Sequence, residues 1–142
     1  MLLVLDSNEY LFAFGAVKAP ASEELLDFLV EHFPRHHIRI VRTIVDEVSS
    51  KLTLEQVKEF YAFLNLFTDI DEKWVVPFDV GEKYLSFFKK GDAAIAAYTE
   101  YVGAHALVTE NRRHFHRHKA SLSFEVWDAA TCLQELKKSA SQ

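Results

Sequence analysis

The sequence predicts an α/β fold: a three-layer α/β/α sandwich with a central, mainly parallel sheet. Short apolar segments alternate along the chain with longer segments whose apolar residues recur at helical spacing. Strands that are joined by intervening helices run parallel, and the helices then cover both faces of the sheet. The length of 142 residues and the 49% hydrophobic content suit one domain, residues 1–142, with one ordinary core.

Five short apolar segments are the candidate strands. The first, Leu2–Leu5, has four successive apolar residues, as expected of a strand that is buried on both faces. The other candidates are Ala106–Val108, residues 38–41, residues 74–76 and, more weakly, residues 124–126.

Five segments between or after these strands have helical periodicity: residues 22–33, 53–67, 79–90, 91–103 and 128–138. Expected capping residues mark three of the starts: Ser22, Thr53 in a capping box with Gln56, and Asp128. Gly103 is expected to end the fourth helix. A further helix follows the second strand, where Thr43 and Asp46 have the spacing of another capping box.

The overall composition indicates a soluble cytoplasmic protein. The single cysteine, Cys132, fits a reducing compartment, and no apolar stretch is long enough to cross a membrane. The formal net charge of −5 argues against tight binding of nucleic acid by the surface as a whole. Residues 112–119 are an exception, because they contain four of the sixteen Lys and Arg and three of the seven His.

Acidic and amide side chains fall where the predicted strands and helices meet. Asp6 directly follows the first strand, and Asn111 follows the strand Ala106–Val108. Asp92 lies in the first turn of a predicted helix, and Glu47 lies in the helix after the second strand. Because sites in parallel sheets form beyond the carboxyl ends of the strands, these four side chains are candidates for one common site.

Each of these residues also has a purely structural interpretation. Asp6 could form a turn, Asp92 could cap a helix, Glu47 could be a solvated helical acid, and Asn111 could cap the turn before residues 112–115. The short connection after Asp6 favours a functional role for that residue, since it leaves little loop in which the carboxylate could be solvated.

The four segments that carry these residues, VLDSN, IVDEVSSKL, GDAAIAAYTE and ALVTENRRHF, resemble the PIN-domain ribonucleases in order and spacing. This family includes the toxins of VapBC-type toxin–antitoxin modules. The resemblance extends over nearly the whole chain. It implies a metal-dependent endoribonuclease whose catalytic acids and metal ligands are Asp6, Glu47 and Asp92, with Asn111 at a variable fourth catalytic position. Ser7 and Asn8 would orient the first carboxylate.

This chain departs from the usual pattern of the family just after the strand Ala106–Val108. Many relatives have an acid at the position of residue 111 or 114, whereas this chain has Asn111 and His114. Three negative charges then remain, which favours one metal ion over two. Glu110 is an adjacent alternative, although its position in the motif normally points away from the site.

The residue types define which ion would bind. Carboxylates that are held close together repel, and a cation between them relieves the repulsion. Ligands that are all oxygen favour Mg²⁺ or Mn²⁺, and the lack of a cysteine pair argues against Zn²⁺. Such an ion would activate a water molecule and stabilise the charge that develops on a phosphodiester.

Basic residues near the proposed site are candidates for contacts with the RNA backbone. Arg112 and Arg113 directly follow the site motif, and Lys89 and Lys90 precede Asp92. A solvated basic face is an equally good interpretation of these residues. His114, His116 and His118 could form a transition-metal site if the segment were extended, but a helical turn at residues 112–115 would separate them.

Two other functional classes compete with the nuclease. A PIN fold without activity could serve as an RNA- or protein-binding module. Phosphotransfer domains also place an Asp after a buried first strand, but here Ser7 and Asn8 follow it and no Lys follows ALVTEN. For the nuclease, the expected partners are RNA, a cognate antitoxin protein and a second copy of the chain, which would dimerise through the helices at 22–33 and 53–67.

Overall fold

A computed structural model describes residues 1–67, 70–73 and 78–140, without the side chains of residues 78–80 and 140. Among these residues it contains four strands: β1 (Leu2–Leu5), β2 (His37–Arg39), β3 (Ala106–Val108) and β4 (Glu125–Trp127). The helices are α1 (Ser7–Phe14), α2 (Pro20–Glu31), α3 (Arg42–Ser49), α4 (Leu54–Phe67), α5 (Phe78–Leu85), α6 (Lys90–Tyr101), α7 (Arg112–His116) and α8 (Ala129–Ala140), with a short 3₁₀ turn at Lys119–Ser121.

The four strands form one sheet in the order β2-β1-β3-β4, and every neighbouring pair is parallel. The register places Leu3 of β1 between Ile38 of β2 and Ala106 of β3. Four of the predicted strands are therefore confirmed, with shifts of a residue or two at the ends of β2 and β4. The fifth, at residues 74–76, lies outside the described residues.

Alternate residues of the strands enter two separate cores, one on each face of the sheet. Leu3 and Leu5 point into the first core, to which α1, α2, α4 and α8 contribute. Val4 and Leu107 point into the second core, which α6 and the helical turn at Phe115 help to build. Helices thus cover both faces, and the predicted three-layer α/β/α class is confirmed.

Two of the predicted capping arrangements are present. The amide of Gln56 donates to Thr53 Oγ1 at 3.3 Å, and the amide of Thr53 donates to Gln56 Oε1 at 2.9 Å, which completes the capping box of α4. The amide of Thr131 donates to Asp128 Oδ1 at 2.7 Å at the start of α8.

Two other capping predictions are wrong. Helix α2 begins at Pro20 after Ala19, so Ser22 lies inside it, and the Ser22 side chain is fully buried. Helix α3 begins at Arg42, directly after the extended residue Val41, and has no side-chain cap. Thr43 is therefore already helical. The N-cap position, which a capping box requires to be non-helical, is occupied by Val41 instead.

The remaining helix predictions differ from the structure at their ends. The segments predicted at 79–90 and 91–103 are Phe78–Leu85 and Lys90–Tyr101. Gly103 lies two residues beyond α6 with a φ of 70°, in the left-handed region that glycine occupies without steric cost. Within the described residues, no helix combines the length and the apolar character needed to cross a bilayer.

Candidate metal centre

Asp6 is held firmly at the junction of β1 and α1. Its backbone amide donates to the Val108 carbonyl at 2.9 Å, which continues the pairing of β1 with β3 by one residue. Its side chain caps α1: Oδ1 accepts from the Ser7 amide at 2.8 Å, and Oδ2 accepts from Thr109 Oγ1 at 3.0 Å. Both carboxylate oxygens are therefore fixed by neutral donors.

The pKa of Asp6 is raised above its ordinary value. Burial of the carboxylate is the main cause, and the hydrogen bonds from Thr109 and the Ser7 amide oppose it. The negative charges of Glu47 and Asp92 raise this pKa further. The three predicted acids therefore interact electrostatically.

Glu47 approaches Asp6 from α3 through a shared hydroxyl. Ser7 Oγ lies 3.3 Å from Glu47 Oε1 and 3.4 Å from Asp6 Oδ1. On its other side, Glu47 Oε1 lies 3.8 Å from Lys51 Nζ, one turn further along the chain, and both of these side chains are about half exposed. Ser7 thus links the two acids, and its orienting role stays a prediction.

Asp92 lies in the first turn of α6 and contacts a residue of α7. Its Oδ2 is 3.0 Å from His114 Nδ1. The His114 side chain is 58% exposed, whereas that of Asp92 is 30% exposed. His114 therefore occupies the neighbourhood of the third acid, at a position where the resemblance led us to expect an acid in many relatives.

These side chains line one cavity of about 380 Å³ at the carboxyl edge of the sheet, hereafter the carboxylate cavity. The predicted site residues in its lining are Asp6, Ser7, Asn8, Glu47, Asp92 and Asn111. Lys89 and Lys90 are exposed at the start of α6 but are not in the lining, so the structure does not bring these two predicted RNA contacts to the cavity.

The donors around the carboxylate cavity suit a hard divalent cation, since they are carboxylate, hydroxyl and amide oxygens. However, no three His, Cys, Asp or Glu side chains within the described ranges are arranged to hold a metal ion. Glu47 is instead paired with Lys51, and Asp92 with His114. Metal binding would require these two exposed pairs to separate, which costs little because exposed ion pairs are weak.

Asn111 immediately precedes α7 without capping it. Its backbone amide donates to Thr109 Oγ1 at 3.1 Å, and its side chain makes no capping hydrogen bond. Asn111 therefore occupies the N-cap position of α7, with its backbone carbonyl accepting from the His114 amide, but its side chain does not cap the helix. Arg112 Nη2 lies 3.5 Å from Asp128 Oδ2, so this arginine is paired with the N-cap of α8, while Arg113 is exposed.

The three histidines near α7 are separated, as the predicted helical turn requires. His114 contacts Asp92, whereas the His118 ring stacks on Phe87 with centroids 4.7 Å apart. His116 is exposed on another side of the turn. The alternative of a transition-metal site formed by this trio is thus wrong.

Tyr98 is a cavity residue that the sequence did not identify. It lines the carboxylate cavity from α6, and its hydroxyl donates to Asp71 Oδ2. Arg39 of β2 donates to both oxygens of Asp71, from Nη2 at 2.9 Å. The network ties α6 to the β2 edge of the sheet, but its members are distant in sequence and show no common pattern.

Glu9 is a second residue that the sequence analysis missed. It lies one turn after Asp6 in α1, is completely buried, and accepts from Ser22 Oγ at 2.8 Å. Its other oxygen, Oε1, is buried without a hydrogen-bond partner among the described residues. Burial of a carboxyl group with so few donors favours its protonated form.

Glu110 itself points away from the carboxylate cavity, as the resemblance implied. Its Oε2 accepts from the amide of Ala129 at 3.1 Å, at the beginning of α8. The pKa of Glu9 is raised to about 9, mainly by burial and next by Glu110. We therefore expect Glu9 to be protonated at neutral pH.

Comparisons with known proteins identify the fold. No family model matches the sequence, and no curated protein matches it. Among solved structures, one similar chain belongs to the crystal structure of VapBC2 from Rickettsia felis bound to a DNA fragment from their promoter. The TM-score is 0.60 at 22% identity, over 90% of this chain and 100% of that chain. The PIN-like fold class is thereby confirmed.

The protonated Glu9 generates a prediction about stability and pH. A group whose pKa is raised on folding stabilises the protein at low pH, and this contribution is lost as pH rises towards the folded pKa. Relative to Glu9→Gln, the parent should therefore lose stability between about pH 5 and pH 9, approaching 1.4 kcal/mol per pH unit in the middle of this range. Urea unfolding at several pH values measures the difference.

Glu24→Gln is the matched control, because it makes the same change on the exposed side of α2. It should leave the pH dependence of the parent unchanged. Parallel curves for Glu9→Gln and the parent would show that Glu9 is ionised in the folded protein.

Proposed function

We propose that the protein is a metal-dependent endoribonuclease that hydrolyses RNA phosphodiester bonds at the carboxylate cavity. The observation that supports this proposal is the convergence of Asp6, Glu47 and Asp92, from three distant parts of the chain, on one cavity at the carboxyl edge of a parallel sheet. Open α/β sheets place their sites at this edge. The fold shared with a chain of VapBC2 agrees with a nuclease of the toxin type.

Asp6, Glu47 and Asp92 would hold one Mg²⁺ or Mn²⁺. When bound, such an ion supplies a more acidic water molecule and stabilises charge on the scissile phosphate. The same positive charge would offset the mutual repulsion that raises the pKa of Asp6.

The protein's own residues would position the reacting groups. Thr109 and the Ser7 amide fix the Asp6 carboxylate, and Ser7 Oγ aligns Glu47 beside it. Asn111 lies at the cavity wall, where its side-chain amide can donate to a phosphate oxygen. Arg113 is exposed beside it and is better placed than Arg112, which already pairs with Asp128, to contact the RNA backbone.

A toxin role would require a cognate antitoxin. The similar solved chain comes from a VapBC2 complex that is bound to DNA, which supports an antitoxin protein as a partner here. Such a toxin would act in the cytoplasm, where its RNA substrates are found. A small neighbouring gene for a DNA-binding protein would support this role.

The second candidate is a PIN-fold module that binds RNA or protein without cleaving it. The contacts Glu47–Lys51 and Asp92–His114 favour this alternative, because they give two of the three acids a protein partner without a metal. The two candidates differ in one measurable property, since only the nuclease needs a divalent ion and Asp6 for RNA breakdown.

Asp6→Asn should abolish RNA cleavage. The change keeps the shape of the side chain but removes the charge that the ion requires, and the loss of a direct ligand should reduce the rate by about 100-fold or more. The measurement is cleavage of a mixed RNA pool with Mg²⁺, Mn²⁺ or EDTA. Asp46→Asn, an exposed acid on α3 next to Glu47, is the control and should cleave like the parent. Equal, metal-independent activity in all three proteins would contradict the proposal.

Added Mn²⁺ should stabilise the folded protein. An ion that binds only the folded state at 100 times its dissociation constant contributes about 2.7 kcal/mol, which corresponds to several degrees in Tm for a chain of this length. A thermal melt with millimolar Mn²⁺ measures the shift, which Asp6→Asn should lack and Asp46→Asn should retain. An unchanged parent Tm would argue against the metal site.

A groove between α2 and α4 is the proposed contact for a second copy of the chain. The groove has a volume of about 290 Å³, and Val30 and Leu66 in its lining are 41% and 45% exposed. Static light scattering of the parent at micromolar concentration should give twice the chain mass of 16.4 kDa. Leu66→Asp should give the monomer, and Leu85→Asp, on the exposed surface of α5, should remain dimeric. A monomeric parent would exclude the dimer.

A further inference from the structure

Two further cavities lie beside the carboxylate cavity, along α7. The first, hereafter the basic cavity, has a volume of about 370 Å³ and shares Asn111 with the carboxylate cavity. The second, hereafter the aromatic cavity, has a volume of about 230 Å³ and shares Arg112 and His116 with the basic cavity. The shared residues place the three cavities side by side, from the proposed catalytic site to the edge strand β4.

Among the described residues, the basic cavity contains one arginine, Arg113, that makes no ion pair. Its lining includes Arg112, Arg113, His114 and His116, together with Glu110 and Asp128. Asp128 and Glu110 are occupied at the start of α8, where they accept from the amides of Thr131 and Ala129. Within the described part of the chain, Arg113 and His116 have no ion pair and are exposed. The charge of Arg113 is therefore available beside the proposed catalytic site, in a protein whose net charge is −5.

The aromatic cavity combines apolar walls with a basic rim. Its walls are Phe115 from α7, Leu122, and Val126 and Trp127 from β4. Arg112, His116 and Lys119 lie at its rim, and Glu125 is the one acid in its lining. Pockets for drug-sized ligands typically occupy about 300–1,000 Å³, so a cavity of about 230 Å³ suits a single planar ring system.

We propose that the aromatic cavity is a nucleobase subsite for a single-stranded RNA whose scissile phosphate lies at the carboxylate cavity; this inference rests on the proposed nuclease function. Proteins recognise single-stranded RNA by stacking unpaired bases on aromatic side chains and by contacting the phosphates with cations. The two neighbouring cavities offer both kinds of contact. Arg113 and His116 of the basic cavity could contact phosphates, and the aromatic cavity beside Trp127 could hold a base. A base bound there selects substrates with an unpaired nucleotide at a fixed distance from the cleaved bond.

The test fills the aromatic cavity from α8 and measures RNA binding without cleavage. Thr131 lines the cavity; its backbone amide donates to Asp128 Oδ1, and its hydroxyl also bonds that carboxylate. Thr131→Phe therefore adds a ring and removes the hydroxyl bond, whereas Thr131→Val removes the bond without filling the cavity and should bind RNA like the parent. Gln134→Phe adds the same ring on the exposed side of α8 as a control. The probe is a fluorescently labelled single-stranded oligoribonucleotide in EDTA, followed by fluorescence anisotropy.

Thr131→Phe should weaken binding of this probe by about tenfold, the effect of losing one stacked base, whereas Gln134→Phe should change it less than twofold. A set of oligoribonucleotides, each with one abasic position, should contain one member that binds the parent about tenfold more weakly. For that member, Thr131→Phe should cause no further loss. Additive losses, or equal binding of the intact probe by parent and Thr131→Phe, would overturn the proposal.

Lys119→Glu provides a second variant that leaves the core intact, since Lys119 is exposed at the cavity rim. It should weaken binding several-fold and reduce the salt dependence of the affinity, whereas Lys137→Glu on the exposed surface of α8 should do neither. Equal effects of the two substitutions would also contradict the subsite.

Cleavage assays on the same proteins separate the two proposals. If the parent never cleaves RNA but Thr131→Phe selectively weakens binding in EDTA, the nucleobase subsite stands and the nuclease function fails. If the parent and Thr131→Phe bind RNA equally well and cleave it at the same positions, the nuclease stands and the subsite fails.

Discussion

The attachment of Asp6 to β3 is the constraint on which the candidate site depends. Asp6 lies between β1 and α1, where its backbone amide pairs with the Val108 carbonyl and its side chain caps the helix. Thr109, the next residue after β3, holds the other carboxylate oxygen. Both contacts come from the parallel register of β1 and β3, so any slip between these strands would remove the amide contact and the hydroxyl contact together.

The acids in and near the cavity have different kinds of partner, and the differences follow from their exposure. Asp6 is largely buried and uses neutral donors, which keep its oxygens in place without cancelling its charge. Glu47 and Asp92 lie nearer solvent and pair with Lys51 and His114, whose side chains are 57% and 58% exposed. Exposed pairs contribute about 1 kcal/mol or less, so a divalent cation can replace them, whereas the contacts of Asp6 would persist. Glu9, which is fully buried, is neutralised by its own proton.

The sequence predicted those features that depend on local pattern or on the sheet edge. Strand ends located Asp6 and Asn111, and the capping box of α4 formed because Thr53 follows a turn that leaves it outside the helix. The same spacing does not produce a capping box at Thr43, because α3 already begins at Arg42. The sequence predicted Ser22 as a helix cap and did not identify Glu9. These two residues are joined by a hydrogen bond between α2 and α1, and no local pattern indicates which residues of two helices will face each other.

The identity of residue 114 affects how many ions the proposed site can hold. Three carboxylates carry three negative charges, and one divalent cation leaves a single negative charge, whereas a second would leave a net positive charge at a cavity that Arg113 already flanks. An acid at position 114 would change that balance, but the chain has His114, which contacts Asp92 without adding negative charge. Under the proposed function, the exposed Arg113 lies on the side from which a phosphate backbone would enter. The charges of these side chains would then suit one ion at the carboxylates, with the neighbouring basic cavity left to the substrate.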